Sequence, residues 1–375
     1  MKLPGLICDL NQVDTNAADM VARANGTPIR LASKSIHIPE LLRYVLDKPG
    51  FSGILAYSLA EAIDLVRDGI SDDILVAYPS TDRAAFAALA ADDTLRRAIT
   101  IMIDSPDHLG FLPTKTTGSA PFRICIDVDA SWKPLPGIYF GTRRSPIYRP
   151  RHAARVAKQV RARPDTKLVG IMMYEGHIAG VPDTSWAIRL MKRRARRALA
   201  GRRARVVQAV SAGGQLEFVN GGGTGSLEST CAEEVVTEAG AGSGIIMPAL
   251  FDDYDCLRDS PAGPALWFEL PVVRTSAKNI ITVAGGGRIA SGTAHPNRLP
   301  LPPDGLRYLC TEGAGEVQTL LKGTAAQDYQ LGDAVRFRHA KAGEGAEHAN
   351  QVTVVRGGTV VDRWPTYRGL GRCYL

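Results

Sequence analysis

This 375-residue chain has no paired cysteine motif. Its six cysteines, at 8, 125, 231, 256, 310 and 373, include no C-x-x-C pair. A chain of this length buries enough apolar surface to do without disulfide staples, so the spacing points to reduced thiols in a cytosolic protein. Long apolar runs are missing too. None approaches the roughly 20 residues that span a bilayer, which argues against a membrane protein. The first residues, MKLPGLICDLNQVD, hold no extended apolar stretch and meet acidic side chains early, which argues against a secretory signal. Zinc-finger signatures, RNA-binding signatures, internal repeats and low-complexity tracts are all absent. These absences exclude repeat architectures and weigh against a nucleic-acid partner.

The composition is that of an ordinary globular protein, with 45% hydrophobic and 22% charged residues. The net charge is +7, a basic balance that suits an anionic ligand. Much of the excess comes from one run containing Lys192, Arg193, Arg194, Arg196, Arg197, Arg202, Arg203 and Arg205. A block of like charge is usually a solvated helix face, and that is the expectation here.

Short apolar runs at 29–33, 53–57, 74–78, 99–103, 122–128, 168–173, 216–220 and 235–238 read as strands buried on both faces. Amphipathic stretches at 39–46, 59–67, 84–91 and 151–161 separate several of them. Such alternation predicts parallel strands with right-handed crossovers. Eight strands suit a closed (β/α)8 TIM-type barrel, with an open doubly wound sheet as the competitor. Polar, glycine-rich clusters follow several different strands, and only a barrel gathers all those ends into one mouth. After about residue 246 helical periodicity fades. Strands at 267–274, 280–284, 334–338, 351–355 and 359–361 predict a second, mainly β domain. The expected division is an α/β barrel over 1–245 and a β domain over 246–375.

The chemistry-bearing residues follow the strand ends. Lys34, in Arg30-Leu-Ala-Ser-Lys34-Ser35, follows the first of the eight runs, where an amine faces the barrel mouth and can form an imine. Asn220-Gly-Gly-Gly-Thr-Gly-Ser226 follows another run. Its glycines let backbone N–H groups converge on an anion, with Thr224 and Ser226 adding hydroxyls. It lacks the Gly-Lys-Ser/Thr ending of an ATP-binding loop. Glu238-Ala-Gly-Ala-Gly-Ser-Gly244 follows the next run, and barrels commonly place a phosphate at these two strand ends. A phosphate cup opposite a lysine suits pyridoxal 5′-phosphate. Tyr174-Glu-Gly-His177 closes a further strand, where Tyr174 can lie against a cofactor ring. In the β domain, Arg338-His-Ala-Lys-Ala-Gly-Glu344 crowds ionisable groups, with His339 and Lys341 on one side of a strand.

These motifs, with Glu312-Gly-Ala-Gly-Glu-Val-Gln318 and Pro365-Thr-Tyr-Arg-Gly-Leu-Gly371, resemble the fold-type III pyridoxal phosphate enzymes. The resemblance is to their D-threonine aldolase and D-serine dehydratase group, with relatives called amino acid deaminases or aldolases, and it runs nearly end to end. It implies an alanine racemase-like barrel, a C-terminal β domain and a homodimer. It makes Lys34 the Schiff-base lysine and places Gly222, Gly223, Thr224, Gly242 and Ser243 around the phosphate, with Asn220 among the cofactor contacts. Tyr174 would lie near the pyridine ring.

Two departures stand out. Metal-dependent members carry a histidine two residues after the lysine, whereas here Ile36 stands there and His37 follows. Their β-domain metal pair, His-x-Cys or His-x-Asp, reads His339-Ala-Lys341 here. An ammonium is no ligand, so the motif weighs against the family's divalent metal and leaves only His339 as a ligand if one is bound. Lys341 is expected to supply the missing positive charge, with His339 as acid or base. The expected activity is Cα–Cβ cleavage of a β-hydroxy amino acid. The alternatives are dehydration releasing ammonia, racemisation or epimerisation, and a non-catalytic cofactor carrier. Racemisation needs two bases and the residues name only Lys34. A carrier would not need the β domain.

Overall fold

The computed structural model describes residues 3–374. The chain opens with strand β1 (Gly5–Asp9). The Asp9 carboxylate then caps the helix Leu10–Ala24 by accepting from the Asn11 N–H at 2.9 Å. Eight parallel strands follow: β2 (Ile29–Ala32), β3 (Phe51–Ala56), β4 (Ile74–Val76), β5 (Ile99–Ile103), β6 (Phe122–Asp127), β7 (Thr166–Met173), β8 (Phe218–Gly221) and β9 (Glu238–Ala241). They pair in sequence order, and β9 closes on β2 through Ile29↔Ala239 and Leu31↔Ala241. This is the barrel the apolar runs predict.

Helices pack the outside by their apolar faces. In the helix Pro39–Leu46, Leu41, Leu42 and Val45 are buried at helical spacing behind a proline at its start. Each such side chain contributes about 1.5–3 kcal/mol of transfer free energy. Inside the barrel, Leu75, Met102, Cys125, Val169, Met172 and Phe218 form a separate apolar cluster. Beside it Arg30 bonds both Glu238 oxygens at 2.8 Å and both Asp73 oxygens at 3.0 Å. The eighth barrel strand starts later than the apolar run 235–238 suggests, and uses Ala and Gly instead. The space explains this: a Cβ on Gly240 would meet Leu55 at 3.0 Å and Asn220 at 3.2 Å.

The second sheet contains β10 (Leu266–Ala277), β11 (Ile280–Ala284), β12 (Arg307–Tyr308), β13 (Gln318–Lys322), β14 (Ala334–Arg338), β15 (Gln351–Arg356) and β16 (Thr359–Pro365). It also takes in β1, which lies antiparallel to β10 and parallel to β15, with Leu6 opposite both Phe268 and Val352. The sequence division puts residues 1–245 together, but residues 5–9 lie in the other sheet. Leu6, Ile7 and Cys8 are at most 2% exposed, and a central place in the sheet pairs both edges of β1, with β10 and β15.

The basic run lies on the helix Trp186–Ser211, capped by Ser185. It is not uniformly solvated as expected. Arg193, Arg194, Arg197 and Arg205 are exposed, whereas Lys192, Arg202 and Arg203 are buried against the barrel. Lys192 pairs with Asp183 at 2.8 Å. Among the described residues, no helix is long and apolar enough to cross a membrane.

Candidate active site

The chain leaves β2 at Ala32 and turns once through Ser33–Ser35, which sets Lys34 exposed at the barrel mouth. Its Nζ donates to the Tyr78 hydroxyl at 3.0 Å. Tyr78 follows β4, and the Arg144 guanidinium lies 5.7 Å from its ring centroid. Burial raises the Tyr78 hydroxyl pKa, but Lys34 and Arg144 outweigh it, so the net shift is downward. Beside Lys34, the Ser35 and Ser243 hydroxyls are 2.9 Å apart. The Thr224 hydroxyl accepts from the Gly244 N–H at 3.0 Å. The lysine turn and the two glycine clusters thus form one continuous wall, although more than 180 residues of chain separate the first from the others.

A buried carboxylate shapes that wall. Glu175 accepts from the Gly222 N–H at 3.2 Å and the Ser226 hydroxyl at 3.0 Å, and also bonds Thr230. Arg203 pairs with it at 2.8 Å and also pairs with Glu233. Gly222 has φ +82°, a conformation that favours glycine. A Cβ on Gly223 would sit 2.9 Å from the Ala179 Cβ and 3.5 Å from the Tyr174 ring, so the loop lies directly against Tyr174. Burial, with Glu175 next to it, pushes the Tyr174 hydroxyl up to about 12. Gly242 packs equally closely, its missing Cβ 2.5 Å from the Ala32 carbonyl oxygen. Asn220 is placed differently from the rest. Its amide donates to Glu238 at 2.9 Å within the barrel network, one strand end below the cup.

The β domain closes the site from the other side. Gly343, at φ +82°, packs so tightly that a Cβ would overlap the Lys34 carbonyl oxygen. Glu347, a few residues on, bonds His37 Nδ1, and the His37 ring stacks between Tyr57 at 5.2 Å and Tyr367 at 5.5 Å. The Tyr367 hydroxyl donates in turn to the buried Glu61 at 2.7 Å. The loop bearing His339 and Lys341 therefore does reach the lysine turn. Lys341 Nζ donates to the Ser291 hydroxyl at 2.7 Å and lies 3.3 Å from Glu344.

His339 has a setting that does not suit the acid–base role expected of it. It is 5% exposed, its ring packs 4.9 Å from that of Phe268, and a Cβ on Gly345 would overlap it. Burial, with Arg288 adding to it, lowers its pKa to about 3, so it is neutral and a poor proton acceptor. A divalent ion fits no better. Among the described residues no group of three or more His, Cys, Asp or Glu side chains could hold a metal. An ion beside His339 would instead meet the cations Lys341 and Arg288.

Sequence reasoning missed Tyr78, Arg144, Glu175 and Arg203. It also missed Asp127 at the end of β6, whose carboxyl is raised to about 7 by burial and by Asp104. The available signal was position: Tyr78, Asp127 and Glu175 all stand at strand ends that face the mouth. Nothing local marks Arg144 or Arg203.

Residues 8–220 match the family model described as alanine racemase, N-terminal domain. A D-threonine aldolase from an Arthrobacter species is 25% identical, over 98% of this chain and 93% of the relative. A 3-hydroxy-D-aspartate aldolase from Paracoccus denitrificans is 24% identical, over 85% of this chain and 80% of the relative. Among solved structures, D-threonine aldolase from Filomicrobium marinum is similar with a TM-score of 0.80 and 22% identity, covering 98% of this chain and 95% of that one. D-threo-3-hydroxyaspartate dehydratase from a Delftia species is similar with a TM-score of 0.71 and 19% identity, covering 98% and 97%. The solved structures share this fold over both domains.

Proposed function

Because the chain belongs to the alanine racemase N-terminal domain family, we propose that it is a pyridoxal 5′-phosphate-dependent lyase cleaving the Cα–Cβ bond of a β-hydroxy amino acid. The names of its relatives supply the substrate class. The observation that carries the reading is the hydrogen-bonded wall in which Lys34 stands beside the Ser35–Ser243 and Thr224–Gly244 contacts. A lysine next to a hydroxyl- and glycine-lined cup is what a phosphate-bearing aldehyde requires.

Lys34 would hold the cofactor's aldehyde, and Gly222, Gly223, Thr224, Gly242 and Ser243 its phosphate, with Tyr174 against the ring. The Asn220 amide would act from below, through its bond to Glu238. When bound, the cofactor supplies an electron sink for the bond broken at Cα. The chain's own residues handle protons and charge. Tyr78, hydrogen-bonded to Lys34, exchanges a proton with the amine as substrate enters. Lys341, on the loop that rests against the Lys34 turn, brings a cation towards the substrate hydroxyl in place of a metal. A homodimer in the cytosol, acting on a small amino acid, completes the reading. Trp186 and Val317, 75% and 72% exposed, are apolar surface that a second copy could cover.

Incubating the holoenzyme with D- and L-β-hydroxy amino acids tests the proposal. Aldehyde plus glycine is the expected result, and no aldehyde from any member of the panel would refute it. Elimination is the second reading, favoured by the acid-leaning Tyr78 hydroxyl 3.0 Å from Lys34, which could help expel the substrate hydroxyl. It would release ammonia and a keto acid instead.

A further inference from the structure

A cavity of about 860 Å³ lies beside β1 and β15. That volume suits a small molecule. Its lining brings together Arg288, Arg363, Arg368 and His348, and contains no Asp or Glu. The three arginines come from separate segments, the loop after β11, strand β16 and the turn Arg368–Leu370, and the neutral His348 ends the turn Glu344–His348. A cleft lined by one sign of charge focuses its field on whatever enters.

Arg288 is the most telling member. Its guanidinium stacks 4.1 Å from the Phe268 ring centroid, and its Nη1 is buried without a hydrogen-bond partner. Burial alone lowers its pKa to about 10. Neighbouring arginines on β14 are satisfied differently: Arg336 pairs with Glu269 and Arg338 with Asp252, each at 2.7 Å. Among the described residues Arg288, Arg363 and Arg368 enter no such ion pair. A half-buried guanidinium left unpaired is costly, and the cost is recovered when an oxyanion meets it.

We propose that this cavity is an anion-binding site distinct from the lysine mouth, and that it takes a small molecule carrying at least two oxyanion groups. Three guanidinium groups offer more N–H donors than one carboxylate can accept, and two or more carboxylates or phosphates would use them. The planar fork of arginine matches both groups in bidentate fashion. The two sites share a wall. His348 lines the cavity, and the adjacent Glu347 bonds His37 behind the Lys34 turn.

Isothermal titration of the cofactor-loaded protein with citrate, and separately with pyrophosphate, tests the site, with sodium chloride holding ionic strength constant. The absorbance band of the lysine-bound cofactor is recorded first. A missing band counts against the cofactor reading and leaves the anion test intact. Binding of either probe at about one per chain is expected, and the tighter probe identifies carboxylate or phosphate as the natural group. Arg288→Met should weaken binding about tenfold or more. Arg368→Met, at an exposed position, should weaken it in the same direction. No heat above the chloride control, or binding unchanged in both variants, would overturn the proposal. So would binding seen only in the cofactor-free protein, since the probes would then be occupying the cofactor cup.

Discussion

Arg203→Met removes the cation that buried Glu175 and half-buried Glu233 share. In the wild type Arg203 pairs with Glu175 at 2.8 Å, also pairs with Glu233, and donates to the Met173 carbonyl at 3.1 Å. Methionine nearly fills the volume, so the loss is electrostatic rather than a cavity. Breaking one side of a buried pair costs about 3–5 kcal/mol. Glu175 keeps its bonds from Ser226, Thr230 and the Gly222 amide, which places the expected loss near about 3 kcal/mol. For 375 residues that corresponds to a fall in Tm of roughly 4 °C.

The sign of the pH dependence can be worked from the same groups. Burial already raises Glu233 above the usual glutamate range even with Arg203 beside it. Without Arg203 the Glu233 carboxyl rises further above its unfolded value of about 4.3. A raised carboxyl costs stability only once pH passes the unfolded pKa, and the cost grows until pH passes the folded one. The deficit should therefore be larger at pH 8 than at pH 5.5. Because Glu175 holds the Gly222 amide, cofactor affinity should fall as well, measured by absorbance titration of the apoenzyme. Glu175→Gln should cost less in the Arg203→Met background than in the wild type. A Tm within 1 °C of wild type, together with unchanged cofactor affinity, would refute the argument that this pair positions the glycine loop.

Three more perturbations bear on the site. Tyr78→Phe removes the hydroxyl 3.0 Å from Lys34; kcat should fall about 100-fold, with the alkaline inflection of the pH profile lost, and a change under threefold would exclude Tyr78 from proton transfer. Gly343→Ala drives a Cβ into the Lys34 carbonyl oxygen at a φ of +82°, so it should cost about 2 kcal/mol or more and reduce the lysine-bound cofactor band; an unchanged melting curve would show that the two domains do not press together there. Extended dialysis against a chelator should leave activity intact while Lys341→Met abolishes it, and strong restoration of activity by a divalent ion would contradict the charge role given to Lys341.

The legible part of the site was the part carried by backbone and strand ends. Lys34 and the glycine clusters were found because a strand buried on both faces writes a continuous apolar run, and the residues just after such a run must lie at the barrel mouth. The same logic could have reached Tyr78 and Glu175, which also end strands, but a tyrosine or glutamate there has many uses. His339 was named from its crowded motif, yet its protonation depends on the burial and on Arg288, 51 positions earlier in the chain.

The barrel, the trailing β domain, and the lysine and glycine clusters at strand ends were all readable in the chain alone, since each rests on local periodicity or on glycine and hydroxyl content. Contacts made on folding settled which arginines of one basic run are structural. Arg193 and Arg203 read alike in the chain, but one faces water and the other holds Glu175 inside the wall. Those contacts also settled that β1 belongs with β10 and β15, and that Gly343 rests on the lysine turn. The physical reason is the same each time. Periodicity reports which face of a segment is covered, whereas the partner that covers it is set by contacts between residues far apart in the chain.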